Sequence, residues 1–277
     1  MKAYTTQFLD NAENALAEDL SNLDEVFARF PLETYGELLL EVPEKWPRLR
    51  RLLPSMPDAQ IQINWTGNHG KALLAQSTAF VRTALSYVPL WRARELGLRT
   101  LDFGCGWGRL LRLMGKYCPL GQLEGVDPWD KSIELCRACN IRNPLAISDY
   151  LPEALPTQSS QFDLIYAFSV FTHLSPYATG VCLKTLRAYL KPSGVLVVTV
   201  RPVEYWHAAS KPEIAGVHAR DGHAYVPHNF HIVSPEGEPI FGDGSMEPRI
   251  LEQCGLRIAG LEHNIADPLQ MIVALST

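Results

Sequence analysis

Apolar and polar positions along this chain change rhythm near residue 98. Before that point the rhythm is helical. Between Lys71 and Val88, the positions Leu73, Ser77, Phe80, Val81, Ala84, Leu85 and Val88 recur every three or four residues, predicting one helix with a single buried stripe. Further upstream, NALAEDLSNLDEVFARF and YGELLLEV interleave acidic and apolar residues and also read as helical. Pro31, Pro43, Pro47, Pro54 and Pro57 cut that region into short pieces.

After residue 98 short apolar runs alternate with amphipathic stretches. Strands are predicted at LRTLDF (98–103), QLEGVD (122–127), PLAISD (144–149), FDLIYAF (162–168) and GVLVVTVR (194–201), with helices at 109–117, 130–139 and 178–190. Such alternation means parallel pairing through right-handed crossovers, an α/β sheet covered on both faces. Ligands of such sheets sit beyond the carboxyl ends of the strands, which singles out the residues just after 103, 127, 149 and 168. The C-terminus departs from the alternation. LRIAGLEH (256–263) and LQMIVAL (269–275) are joined only by NIADP, too short for a helical crossover, so an antiparallel pair at one sheet edge is expected. Residues 202–244 show no clear period, are rich in Gly, Pro and His, and are expected to form a functional insertion. The organisation expected is a helical extension over 1–92 packed on a domain over 93–277.

Composition narrows the function. At 277 residues and 47% hydrophobic, the chain has ample material for a core. A formal charge of −5 argues against a sequence-independent hold on nucleic acid, and Arg48, Arg50 and Arg51 read as a solvated helix end. No apolar segment approaches the roughly 18–20 residues that cross a bilayer, so no membrane partner is expected. The N-terminus has acidic residues and no apolar signal core, and the cysteines fall mostly within the apolar patterns of predicted helices. A cytoplasmic protein with reduced thiols is therefore expected, with a homodimer left open. Cys136 and Cys139 form a C-x-x-C without a second pair, which reads as two thiols one helical turn apart and not as a zinc site.

The chemistry starts at LDFGCGWGRLL (101–111). Gly104, Gly106 and Gly108 give G-x-G-x-G at a strand-to-helix turn, where a ligand approaches backbone too closely for a Cβ. The dinucleotide fingerprint needs G-x-G-x-x-G and the P-loop needs a following lysine; neither is present. Asp127 ends the second strand, where a carboxylate can take the two hydroxyls of a ribose or cap the next helix. Asp149 ends the third, beside Tyr150, and can accept from an adenine amine or serve as a loop carboxylate. Together the strand ends point to an adenosine-containing ligand, and nothing in the set asks for a phosphate.

LDFGCGWGRLL, GVDPWDKSIELC, ISDYLPEALP and FDLIYAFSVFTHL resemble the successive motifs of class I S-adenosylmethionine-dependent methyltransferases, over about residues 98–201. The resemblance implies a doubly wound, Rossmann-like, seven-stranded, mostly parallel sheet of order 3-2-1-4-5-7-6 with strand 7 antiparallel. It implies S-adenosyl-L-methionine as cofactor, with the turn Gly104–Cys105–Gly106 and Gly108 against the methionine portion and Asp102 fixing the loop and amino group. By the same carry-over Asp127 and Pro128 adjoin the ribose, while Trp129, Asp149 and Tyr150 surround the adenine. Phe168 and Ser169 border the sulfonium, and Trp65, Thr66 and Gly67 close over the site. The activity implied is methyl transfer to oxygen or nitrogen of a small-molecule or sugar-containing acceptor, with a non-catalytic cofactor-binding subunit as the alternative.

His173, in FTHL, is the candidate base or substrate orienter, against a structural role bonding a neighbouring loop. In the insertion, His207, His218, His223, His228 and His231 match no compact zinc spacing, so no metal is expected. Tyr205 and Trp206 either wall a substrate pocket or anchor the insertion on the core.

Overall fold

The computed structural model describes residues 3–15, 27, 30–88, 97–263 and 267–277. The expected boundary at 92/93 and part of the NALAEDLSNLDEVFARF segment lie outside the described residues. Five helices precede the sheet: α1 (Ala3–Ala15), α2 (Leu32–Leu40), α3 (Pro47–Leu52), α4 (Ala59–Thr66) and α5 (Gly70–Ser86), counted among the described residues. Every position of the predicted 71–88 stripe is buried, Val88 just past the helix end included. Arg50 pairs with Glu44 at the surface, while the half-exposed Arg48 reaches the buried Glu13.

The seven-stranded sheet runs β3-β2-β1-β4-β5-β9-β8, from β1 (Thr100–Phe103), β2 (Leu123–Asp127), β3 (Leu145–Ile147), β4 (Phe162–Ala167), β5 (Leu190–Val200), β8 (Arg257–His263) and β9 (Met271–Ser276). β1 to β5 pair in parallel, and β9 lies antiparallel between β5 and β8, as the short C-terminal connection required. β1, β2 and β4 are buried at every position because helices cover both faces. Alternate residues serve opposite layers. Leu164, Tyr166 and Val197 pack with Phe80, Leu38 and Leu49 of the N-terminal helices. Ile165, Ala167 and Val198 pack with Ala178, Leu183 and Leu186 of α8 (Pro176–Ala188), whose N-cap Ser175 accepts from the Ala178 N–H.

Two elements differ from expectation. The helix predicted over 109–117 is α-helical only as α6 (Leu111–Met114), with turns on either side. Three glycines with φ of +76°, +54° and +78° (Gly104, Gly106 and Gly108) delay its start. α7 (Asp130–Ala138) follows β2 as predicted. The insertion expected to be irregular is ordered: α9 (Glu204–Ala208), α10 (Pro212–Asp221) and a separate antiparallel hairpin of β6 (His223–Val233) and β7 (Pro239–Met246). Pro227 and two register shifts interrupt β6, and β7 carries glycines, so neither strand shows a clean alternation. A Cβ on Gly242 would meet the Val226 carbonyl at 2.3 Å, so only glycine lets the two strands close there. Trp206 is fully buried in a small core with Ala215 and Ala224, and its indole donates to Ser245 Oγ at 2.6 Å. It anchors the insertion, the second of the two roles considered for it.

Candidate functional site

A cavity of about 650 Å³ opens beyond the carboxyl ends of β1 to β4. The chain reaches it four times as it leaves a strand, bringing Asp102, Gly104, Cys105 and Gly106, then Asp127, Pro128 and Trp129, then Asp149 and Tyr150, then Phe168, Ser169 and His173. Gly108 is not on the cavity. A Cβ there would lie 3.0–3.2 Å from Ile141 and Cys136, so this glycine lets the turn pack against α7 and its following residues. Gly104 is pressed against Val170, and only Gly106 has open space beside it, with the nearest atoms those of Trp65 at 4.0 Å. Trp65 and Thr66 roof the cavity from the end of α4; Gly67 caps that helix and lies off the cavity. The Trp65 indole stacks on that of Trp129 with centroids 4.7 Å apart and planes 19° from parallel. Asp149 and Tyr150 are exposed at the rim.

Backbone donors fix Asp127. Its Oδ2 accepts from the Gly106 N–H at 2.9 Å and its Oδ1 from the Trp129 N–H at 3.0 Å, so one side chain ties the glycine turn to the start of α7. Burial raises its pKa, against hydrogen bonds from Trp129, Ser132 and Gly106 that lower it. Asp102 is only 2% exposed, and its Oδ2 has no hydrogen-bond partner. Burial drives that carboxyl well above the usual range, against the neighbouring Tyr166 hydroxyl, which lowers it and is itself without a closed hydrogen bond.

Sequence reasoning missed the wall facing this carboxylate. Arg109 lies over the Phe168 ring at 4.6 Å, donates through Nε to Ser77 Oγ at 2.7 Å and through Nη2 to Gln76 Oε1. Gln76 in turn donates to Asp267, as does Gln270 from the start of β9. Burial lowers the Arg109 guanidinium to about 10. The available signal was Ser77, a polar residue inside an otherwise apolar stripe.

The opposite end of the cavity belongs to the insertion. β7 is stitched to the loop after β4: the Gly242 N–H donates to the His173 carbonyl at 2.9 Å and the Gly244 N–H to the Thr172 carbonyl at 2.8 Å. His173 Nδ1 lies 2.9 Å from the Gly242 carbonyl, which can only accept; Nδ1 therefore carries the proton and Nε2 the lone pair. The ring stacks on Phe241 at 5.4 Å. Burial, then the adjacent Arg201 charge, lowers this imidazole to about 4, so it is neutral near pH 7. Arg201, at the end of β5, donates from Nη1 to Asp243 Oδ1 at 2.7 Å and to the Thr172 carbonyl at 2.9 Å; its Nη2 lies 3.4 Å from His173 Nε2.

His173, His228 and Asp243 bring three potential ligand atoms within 4.8 Å of one another, the one such grouping among the described residues. The Arg201 guanidinium already supplies positive charge between His173 and Asp243. The insertion histidines do not gather as a set: His218 is buried on Ser245 Oγ at 2.7 Å, while His228 faces His173. Cys136 and Cys139 are buried free thiols.

Residues 101–198 match the family described as "Methyltransferase domain". Ubiquinone biosynthesis O-methyltransferase of Bradyrhizobium diazoefficiens is 38% identical over 108 residues, 37% of this chain and 40% of that protein. Ribosomal protein L11 methyltransferase of Burkholderia thailandensis is 28% identical over 124 residues, 45% of this chain and 37% of that protein. The chain thus matches about two fifths of the length of these relatives. A solved S-adenosylmethionine-dependent methyltransferase from Clostridium acetobutylicum shares the fold at a TM-score of 0.50 and 12% identity, over 79% of this chain and 96% of that one. No described helix is long and apolar enough to cross a membrane. The motifs, the sheet order and the domain match agree: residues 101–198 carry a methyltransferase domain, set in the Rossmann-like sheet of class I S-adenosylmethionine-dependent methyltransferases.

Proposed function

We propose that this chain transfers a methyl group from S-adenosyl-L-methionine to oxygen or nitrogen of a small-molecule or sugar-containing acceptor. The carrying observation is the unpaired, buried Asp102 Oδ2 on the wall of a cavity bounded by the glycine turn and Asp127. An unpaired buried carboxylate oxygen is costly, and an ammonium group supplies the missing donors. The residues fit the cofactor. Asp102 takes the amino group, Gly104 to Gly106 lie along the methionine portion, and Asp127 receives the ribose hydroxyls. Trp129, Asp149 and Tyr150 flank the adenine, and Phe168 and Ser169 border the sulfur. Gly108 acts only through the shape of the turn.

The bound cofactor supplies an electrophilic methyl group on a positively charged sulfur. The protein's part is positioning and exclusion of water. Phe168, Val170 and Leu174 present apolar surface to the cavity, and His173, whose neutral Nε2 accepts from Arg201 Nη2 at 3.4 Å, is the candidate orienter of the acceptor. Residues 1–92 act as a helical cap on the domain, and the insertion shapes the acceptor end. Asn229, Ile232 and Phe241 of the hairpin line that end, a narrow set that favours a small acceptor over a macromolecule, and the acidic balance of the chain disfavours nucleic acid. A cytoplasmic location accords with the free, buried thiols.

Incubation with methyl-labelled cofactor and a fraction of small metabolites is expected to give a labelled product together with S-adenosylhomocysteine. Tight cofactor binding with no transfer to any fraction would instead identify a non-catalytic binding subunit.

A further inference from the structure

The amino-acid end of S-adenosylmethionine carries two opposite charges on one carbon, an ammonium and a carboxylate. With the ammonium on Asp102, the carboxylate beside it still needs a donor. The main chain of the glycine turn is largely spent. The N–H groups of Gly104 and Cys105 donate to the Val126 carbonyl at 2.8 and 3.0 Å, that of Gly106 to Asp127 Oδ2, and that of Gly108 to the Cys105 carbonyl at 3.0 Å. A side chain has to serve, and charge narrows the choice. Among the described residues that line the cavity, Arg109 is the one Lys or Arg, set against the carboxylates of Asp102, Asp127, Asp149 and Asp267.

The Arg109 guanidinium is fixed on two sides and open on a third. Its Nε donates to Ser77 Oγ at 2.7 Å, which is free to accept because the Ser77 proton goes to the Leu73 carbonyl at 2.7 Å. Its Nη2 donates to Gln76 Oε1. The amide of Gln76 is turned that way because its Nε2 donates to Asp267 Oδ2 at 2.5 Å, where Gln270 Nε2 also donates at 2.8 Å. Phe168 lies under the guanidinium at 4.6 Å. Nη1 has no partner among the described residues, and both of its N–H groups remain to be satisfied. A guanidinium held in one orientation beside a cavity is a reader of planar anions, above all of a carboxylate.

We propose that Arg109 binds the carboxylate of the cofactor through Nη1, and that the chain thereby rejects a sulfonium nucleoside that lacks this carboxylate. The proposal rests on the cofactor reading above and adds to it a residue and a discrimination. The intact amino acid brings one charge to Asp102 and the opposite charge to Arg109. A decarboxylated ligand brings only the ammonium, leaves Nη1 desolvated without an acceptor, and sets two cations near one another. It also gives Ser77 a purpose in the apolar stripe of α5: it seats the guanidinium.

The test is titration calorimetry of the full chain with S-adenosylhomocysteine and with its decarboxylated form, S-adenosyl-3-thiopropylamine, which differs only in lacking the carboxylate. The wild type is expected to bind the first about tenfold or more tightly, the size of a charged hydrogen bond. Arg109→Gln is expected to erase that preference by weakening the first ligand and not by strengthening the second. Equal affinities in the wild type, or a preference intact in Arg109→Gln, overturns the proposal. Should Arg109→Gln fail to fold, phenylglyoxal labelling of the wild type, read at Arg109 by mass spectrometry, decides. Stronger protection by S-adenosylhomocysteine than by the saturating decarboxylated ligand supports the contact, and equal protection overturns it. Binding of neither ligand overturns the cofactor reading and the proposal with it, whereas equal binding of both sinks the Arg109 assignment alone.

Discussion

The two ends of the cavity are built in different materials. At the glycine turn, main chain does the work: backbone N–H groups of Gly106 and Trp129 hold Asp127, and the turn itself forms the wall. At the insertion, side chains do it: His173, Arg201 and Asp243 meet because β7 is laced to the loop after β4. A backbone-made site depends on where the chain can bend, while a side-chain site depends on which distant residues a second element carries in. The first has no room for a side chain at Gly104 or Gly108; the second can be altered piecewise.

The largest effect expected from this contrast is at Gly104. A valine there combines a φ of +76° with a Cβ placed 2.4 Å from Val170, for a destabilisation of about 3 kcal/mol or more. Denaturant unfolding measures it, and a near-neutral result would mean the turn is far more pliable than its backbone bonding implies. A smaller effect should follow Ser245→Ala, which strips the partner from the buried Trp206 indole and His218 imidazole, at about 1–3 kcal/mol. Calorimetric affinity for S-adenosylhomocysteine should stay within a factor of about two in that variant, and a larger loss would mean the two ends are not separable.

The last effect is confined to acid pH. Because the His173 pKa in the folded chain lies near 4, below its ordinary 6.5, the unfolded chain binds the extra proton between those values. His173 therefore contributes stability above about pH 6.5 that is lost as pH falls toward 4. The groups facing it are Arg201, Asp243 and His228, which Arg201 and His228 bias toward the neutral form and Asp243 away from it. The melting temperature of the wild type relative to His173→Asn should fall across that window and stay level above it. A difference independent of pH removes the neutral imidazole from the account.

The same contrast explains what could be read from the sequence. Strand ends, the glycine turn and the C-terminal pair follow from local alternation and connection length, and Asp127 from its place at a strand end, whereas Asp102 and Trp129 come only from the family resemblance. Gly108 shows the limit of that reasoning: its spacing belongs to the motif, but its reason is the packing of Ile141 and Cys136, which only the folded chain reveals. The hairpin was illegible because Pro227 and Gly242 break the alternation that marks strands, and Gly242 is there to let them close. Arg201 and Asp243 are separated by 42 positions and joined only by that hairpin. Arg109, by contrast, stands next to the turn. It went unread because nothing local distinguishes a guanidinium folded over Phe168 from one in solvent.

Titration calorimetry of the wild type and Asp127→Ala with S-adenosylhomocysteine, and of the wild type with NAD, tests the central claim most directly. Saturable binding of S-adenosylhomocysteine, weakened about tenfold to a hundredfold by Asp127→Ala, and none of NAD, is the expected result. Equal affinity in the two proteins, or binding of NAD in its place, would contradict a cofactor site built on the glycine turn and Asp127.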